Sequence, residues 1–124
     1  MLPDLAVTFG HVAEHRLDAR WHDSGSAWVG KPLWMRELAL CIARHESMNA
    51  GHYRADNPRS SASGRYQMLQ AMWDGNVRWV PGGAAWVGLP ASAAPPRIQD
   101  LAFINSIVHD GARHWRGTGC KGTE

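Results

Sequence analysis

Two stretches with helical periodicity constrain the fold of this chain more than any other feature of the sequence. Residues 33–46 contain no Gly or Pro, and their apolar side chains are spaced as in a helix: Trp34, Leu38, Cys41 and Ile42. In residues 97–115, side chains recur at spacings of three and four, which predicts an amphipathic helix: Ile98, Leu101, Asn105, Val108, Ala112 and Trp115. The sequence therefore favours a mostly helical domain.

Weaker patterns cover the rest of the chain. Leu5 to Trp21 is predicted as a helix near the N-terminus, and residues 68–73 are predicted as a short helix. Residues 47–63 are predicted as a loop, in which Asn57-Pro58 marks a turn. No internal repeat or linker divides the sequence.

The length and composition fit one small globular domain. The chain has 124 residues, of which 44% are hydrophobic and 19% charged, so it is long enough to bury a core and is not of disordered composition. We predict a single, mainly α domain with little or no β structure over residues 1–124. Residues 1–32 would form a helical extension and residues 33–120 the core.

Charge and hydropathy argue against several kinds of partner. The net charge is only +2 and no basic stripe is present, so nucleic acid is not an expected partner. No apolar run is long enough to cross a bilayer, which argues against membrane insertion. The first twenty residues carry five Asp, Glu or Arg side chains and no apolar segment, so no secretory signal is expected in this chain. We also expect a monomer that needs no cofactor and no metal.

Glu46 is the clearest candidate for a catalytic residue. It lies at the C-terminal end of the helix predicted over residues 33–46, and the negative end of the helix dipole disfavours a charged carboxylate there. Apolar packing around the carboxyl would raise its pKa further. A carboxyl that stays protonated near neutral pH can act as a general acid toward a glycosidic oxygen. The alternative is a solvated charge at a helix end.

The order of the motifs resembles a known group of proteins. An apolar helix leads to Glu46-Ser47, a polar loop, the turn Gly64-Arg65-Tyr66-Gln67, a short helix with Trp73, and a long helix that closes on Trp115 and Cys120. This order is similar to the order of motifs in the lysozyme-like superfamily. The closest resemblance is to the transglycosylase-like domain of resuscitation-promoting factors and soluble lytic transglycosylases, and it covers about residues 36–120.

The resemblance implies an enzyme that cleaves the β-1,4 bond between N-acetylmuramic acid and N-acetylglucosamine in peptidoglycan. Glu46 would be its single catalytic acid, and peptidoglycan strands its partner. The enzyme would be secreted, cell-wall-associated or delivered by a phage. The residues expected to bind substrate are Ser63, Asn57, Tyr66, Gln67 and Trp73. For Tyr66 and Trp73 the alternative is packing in the core.

The chain departs from this group at its cysteines. The group usually places a cysteine directly before the glutamate, whereas this chain has His45 there and Cys41 one helical turn earlier. Positions 41 and 45 face the same side of a helix, so the resemblance still implies a Cys41–Cys120 disulfide. Two free thiols are the alternative.

A glycosidase that uses two carboxylates needs a partner for Glu46, and the candidates are Asp56 and Asp74. The resemblance instead implies that one carboxylate suffices. Glu46 would protonate the leaving oxygen, the acetamido group of the substrate would stabilise the anomeric carbon, and a 1,6-anhydro sugar would form. Hydrolysis by water is the neighbouring outcome, and the sequence leaves both open.

Two other functional classes remain open. His11-Val12-Ala13-Glu14-His15 fits the His-x-x-Glu-His pattern of one group of zinc peptidases, in which His11 and His15 bind the metal beside Glu14. No third ligand is evident downstream. The second class is a module of the same fold that binds glycan or a partner protein without catalysis.

Overall fold

A computed structural model describes residues 23–48 and 51–121 of the chain. Three α-helices are present in this part of the chain: α1 (Leu33–Glu46), α2 (Gln70–Val77) and α3 (Pro96–Asp110). Short 3₁₀ segments and loops connect them. Over the described ranges there is no strand, only isolated bridges that pair Ser63 with Asp56 and with Met68. The prediction of a mainly α fold with little or no β structure is confirmed. The helix predicted over residues 5–21 lies outside the described residues.

Helix α1 has the bounds predicted from the sequence. It begins directly after Pro32, whose extended conformation precedes the first turn, and it ends at Glu46. The cystine Cys41–Cys120 joins α1 to the chain just after the C-terminal 3₁₀ segment Arg113–Thr118, with the two Cα atoms 5.9 Å apart. The disulfide that the resemblance implied is therefore confirmed.

The short helix begins and ends later in the chain than predicted. It was expected over residues 68–73, but α2 spans Gln70–Val77. Two backbone hydrogen bonds between Met68 and Ser63 keep the chain extended up to this point, so the first turn cannot begin earlier. Trp73 lies in the middle of α2 and not at its end.

Helix α3 is the centre of the fold. It packs against α2 and against the 3₁₀ segment Ser26–Trp28, and most of its circumference is therefore buried. Its buried positions are Ile98, Gln99, Asp100, Ala102, Phe103, Ile104, Ser106 and Ile107. The predicted apolar stripe was wrong, because Val108 is 64% exposed and Asn105 only half-buried. A helix covered on several sides has no single apolar stripe to detect.

The predicted C-terminal end of this helix was also wrong. The helix was expected to reach residue 115, but it ends at Asp110 because Gly111 adopts a left-handed φ of 67°. Trp115 belongs instead to the separate 3₁₀ segment, where it is buried against Phe103.

Asp100 organises the core with hydrogen bonds. Its buried carboxylate accepts from the backbone N–H of Ser24, from Trp28 Nε1 and from the hydroxyls of Tyr53 and Tyr66. These donors come from three separate segments, so one side chain of α3 fixes all of them. Burial, and after it the nearby Asp100 charge, raises the pKa of Tyr66 well above its ordinary value, which keeps its hydroxyl a donor.

Candidate active site

Glu46 lies at the rim of an open groove. As the last residue of α1 it is half-buried, and it lines a groove of about 430 Å³ together with residues 56–59 and Gln67. Burial raises the pKa of its carboxyl, and the neighbouring His45 acts in the opposite direction. A carboxyl with a raised pKa beside an open groove can hold a proton and deliver it to a bound molecule.

Ser47 fixes the end of α1 against the turn that carries Gln67, another residue that lines the groove. Its buried hydroxyl donates to the carbonyl oxygen of Arg65 at 2.6 Å, and its backbone N–H donates to the carbonyl of Ala43. This contact spans 18 residues of sequence. It therefore sets the position of Glu46 relative to the turn at residues 64–67.

The turn at residues 64–67 requires glycine at its first position. Gly64 has φ of +82°, and a Cβ there would lie 2.5 Å from Gln99 Oε1. That oxygen accepts the backbone N–H of Arg65 at 2.9 Å, while Gln99 Nε2 donates to the carbonyls of Tyr53 and Ala94. Gln99 thus joins three loops to α3. Sequence reasoning missed it, because the predicted apolar stripe did not include position 99.

Gln67 lines the groove from a strained backbone. Its φ is 52°, which is uncommon for a residue other than glycine and costs about 1–3 kcal/mol. Its Nε2 donates to the carbonyls of Gly64 at 3.1 Å and Ala55 at 3.3 Å. Since both amide hydrogens are used, Oε1 is the atom left to accept a hydrogen bond from a bound molecule.

The exposed loop of residues 56–59 also lines the groove. Asn57 Oδ1 accepts the backbone N–H of Arg59 at 2.8 Å, which forms a local turn. Asp56 Oδ1 accepts the hydroxyl of Ser92 at 2.6 Å. Arg59 adds a cation to the groove that sequence reasoning did not single out. An isolated Arg in a polar loop carries no signal that could have identified it.

The structure brings four of the predicted site residues together: Glu46, Gln67, Asn57 and Asp56. It places the other four elsewhere. Tyr66 is only 2% exposed, stacks on Phe103 with ring centroids 4.1 Å apart, and donates to Asp100 at 2.6 Å. Trp73 is 1% exposed and donates from Nε1 to the carbonyl of Trp86. Both aromatic residues are therefore core residues of this fold.

Ser63 and Asp74 also have structural partners outside the groove. Ser63 is buried, and its hydroxyl oxygen accepts the backbone N–H of Ser92 at 3.1 Å. Asp74 Oδ1 accepts from Gln70 Nε2 and from the backbone N–H of Gly88, so it holds the loop that follows α2. Neither residue lines the groove.

One cluster of metal-ligating residue types occurs in the described part of the chain. The ligand atoms of Cys41, His45 and Cys120 lie within 4.8 Å of one another. The two sulfurs are bonded to each other as a disulfide, and it is the thiolate form of cysteine that binds metals. The zinc motif His11, Glu14 and His15 lies outside the described residues.

The chain is similar in sequence to proteins that are named probable transglycosylases. No protein family model matches this chain, and no solved structure matches it significantly. The chain is 39% identical over 74 residues to the probable transglycosylase SceD 2 of Staphylococcus saprophyticus subsp. saprophyticus, a match that covers 60% of this chain and 27% of that protein. It is 38% identical over 74 residues to the probable transglycosylase SceD of Staphylococcus aureus strain Newman, covering 60% and 29% of the two chains.

The similarity to these relatives supports a transglycosylase-like protein and goes no further than this general class. The matched segment spans less than a third of the length of these curated relatives. No helix in the described residues has the length and apolar character needed to span a bilayer.

Proposed function

We propose that this chain is a cell-wall lytic enzyme that cleaves the β-1,4 bond between N-acetylmuramic acid and N-acetylglucosamine in peptidoglycan. Glu46 is its single general acid and base. The observation that carries the proposal is the half-buried Glu46 carboxyl with a raised pKa in an open groove that Gln67 also lines. The similarity to proteins named probable transglycosylases supports the same class of reaction.

The reaction begins with a proton on Glu46. The carboxyl gives this proton to the glycosidic oxygen as the bond to the anomeric carbon breaks. The carbonyl oxygen of the substrate acetamido group bonds to the anomeric carbon and takes up its positive charge. Glu46, now a carboxylate, removes the proton from the C6 hydroxyl, whose oxygen displaces the acetamido group. The products are a 1,6-anhydro sugar and a shortened strand, and no water is consumed.

Gln67 and the loop of residues 56–59 position the sugar in this scheme. Gln67 Oε1 accepts a hydrogen bond from a sugar hydroxyl or acetamido N–H, since both hydrogens of its own amide are engaged. The exposed side chains of Asn57 and Arg59 supply further polar contacts along the groove. Tyr66, Trp73 and Ser63 support the fold and are not part of the proposed substrate contacts.

Hydrolysis is the second candidate reaction, and one observation favours it. Asp56 lines the same groove as Glu46, so it could activate a water molecule against the anomeric carbon. Asp74 holds a loop outside the groove and is not a candidate for this role. Either reaction has a substrate in the cell wall, so the proposed site of action is outside the cytoplasmic membrane.

The test combines substitution with product analysis on purified peptidoglycan. We expect Glu46→Gln to lower the rate of muropeptide release by at least about 10²-fold, because a general acid contributes roughly 10²–10⁴-fold. Asp74→Asn is the matched control and should retain wild-type activity, provided that circular dichroism shows an intact fold. Mass spectrometry distinguishes the reactions: anhydro ends indicate a lytic transglycosylase, and reducing ends together with a collapse of activity in Asp56→Asn indicate a hydrolase.

Equal release of muropeptides by the wild type and Glu46→Gln would refute the assignment of Glu46. If the folded wild type binds peptidoglycan but releases no product, the chain is a glycan-binding module.

A further inference from the structure

A second pocket, of about 350 Å³, lies where the C-terminal halves of α2 and α3 meet. Its lining includes Gly75 and Asn76 of α2, Trp79 in the following turn, and Asn105 and Asp110 of α3. It shares no lining residue with the groove that contains Glu46. The proposed reaction makes no use of it.

An exposed tryptophan, Trp79, lines this pocket. Trp79 is 73% exposed, whereas Trp28, Trp73 and Trp115 are each buried in the core. Its backbone N–H donates to the carbonyl of Asn76 at 3.2 Å, so a hydrogen-bonded turn at the end of α2 anchors it. A flat apolar ring beside a pocket that also carries polar side chains suits a pyranose, which presents an apolar C–H face together with hydroxyl groups.

The polar wall of the pocket is fixed by its own hydrogen bonds. Asn76 donates from Nδ2 to the carbonyl of Met72 at 2.8 Å and accepts at Oδ1 from Asn105 Nδ2 at 2.9 Å. Within the described residues, Asn105 Oδ1 receives no hydrogen bond. This oxygen is therefore an acceptor whose orientation is already set, and it can receive the N–H of an acetamido group or a sugar hydroxyl.

Gly75 leaves room for a ligand at this surface. It lies inside α2 without a left-handed backbone, and a Cβ there would have no atom within 4 Å. The fold would accept a side chain, and alanine would stabilise the helix relative to glycine. A glycine that neither conformation nor packing requires leaves the backbone of α2 open to a ligand in the pocket.

We propose that this pocket is a second glycan-binding site that takes an N-acetylhexosamine unit of a peptidoglycan strand. The sugar stacks on Trp79 and bonds to Asn105 Oδ1 and the Asp110 carboxylate. It holds the polymer while another part of the strand occupies the Glu46 groove. The choice of peptidoglycan as the polymer rests on the proposed function, while the preference for a pyranose rests on the pocket itself.

The main test measures binding without turnover. In a Glu46→Gln background, sedimentation with purified peptidoglycan gives the dissociation constant of each protein. We expect Trp79→Ala to weaken binding about tenfold, which corresponds to about 1.4 kcal/mol. Trp79→Phe retains an aromatic surface and should stay within about twofold of the parent. Val29→Ala is the control, because Val29 is an equally exposed apolar residue that does not line the pocket, and it should not change binding.

Gly75→Leu separates loss of the site from loss of the fold. Leucine is a strong helix former, so the melting temperature should be unchanged or higher, while its side chain fills the pocket and weakens binding at least as much as Trp79→Ala. In the Glu46→Gln protein, the soluble probe chitotetraose should shift the indole N–H resonance of Trp79, which is assigned by its absence in Trp79→Phe.

Unchanged binding in both Trp79→Ala and Gly75→Leu, or an unmoved Trp79 resonance, would overturn the second site. Failure of the proposed function is a separate result, since it would show as absence of product from the wild type. The binding comparison needs no catalysis and keeps its meaning in that case.

Discussion

Replacing Gly64 with alanine tests how the active-site turn is held, because two separate costs act at this position. The first is backbone strain: φ is +82°, and a left-handed residue with a Cβ costs about 1–2 kcal/mol. The second is the contact with Gln99 Oε1, which lies 2.5 Å from the new Cβ. If Gln99 moves away, the buried N–H of Arg65 loses its acceptor, at about 1–3 kcal/mol.

Gly30→Ala provides the matched control. Gly30 also has a left-handed φ, +78°, but a Cβ there would have no atom within 4 Å, so only the backbone strain applies. Urea denaturation should show a loss of about 1–2 kcal/mol for Gly30→Ala and about 2–5 kcal/mol for Gly64→Ala. The difference between the two variants measures the contact with Gln99.

Activity should separate the two variants further. Gly64→Ala displaces the turn that carries Gln67 and contacts Ser47, so muropeptide release should fall at temperatures where the variant is still folded. Gly30→Ala should retain full activity when folded. Equal stability losses together with equal activities would show that Gln99 does not constrain the turn, and the account of the site geometry would be wrong.

Two further predictions concern Glu46 and the disulfide. Burial raises the pKa of folded Glu46 above its unfolded value, so its contribution to stability is present at low pH and lost as the pH rises through the folded pKa. Glu46→Gln does not titrate, and its melting temperature should match the wild type near pH 4 and exceed it near pH 7; a difference independent of pH would contradict this. Reduction of Cys41–Cys120, which are 79 residues apart, should lower the free energy of unfolding by about 4 kcal/mol in the chain-entropy model, and a Cys41→Ala, Cys120→Ala double variant should show the same loss without reductant.

The features that could be predicted from the sequence are those set by local patterns. Helix α1 was predicted correctly because residues 33–46 contain no Gly or Pro and their apolar spacing is regular. The α1 end at Glu46 followed from the same pattern. The disulfide followed from a resemblance together with helical geometry, since positions 41 and 45 share a face.

The features that could not be predicted depend on contacts between distant segments. For Tyr66 the sequence left substrate contact and core packing both open. Its hydroxyl donates to Asp100, which is 34 residues away, and this contact holds the ring in the core. Gln99 and Asp100 have polar side chains that a helical pattern assigns to the solvent side. Only the arrangement of several loops around α3 makes them buried.

The polar residues of α3 explain how a groove built largely from loops can keep one shape. A buried carboxylate or amide is destabilising unless its hydrogen bonds are made, and the donors and acceptors for Asp100 and Gln99 come from loops on both sides of α3. Each loop is therefore confined to the position in which these bonds form. Because the backbone N–H of Arg65 bonds to Gln99 while its carbonyl bonds to Ser47, the constraint extends directly to the end of α1 and to Glu46. The placement of the proposed catalytic acid thus depends on buried polar contacts as well as on the apolar packing that defines the helices.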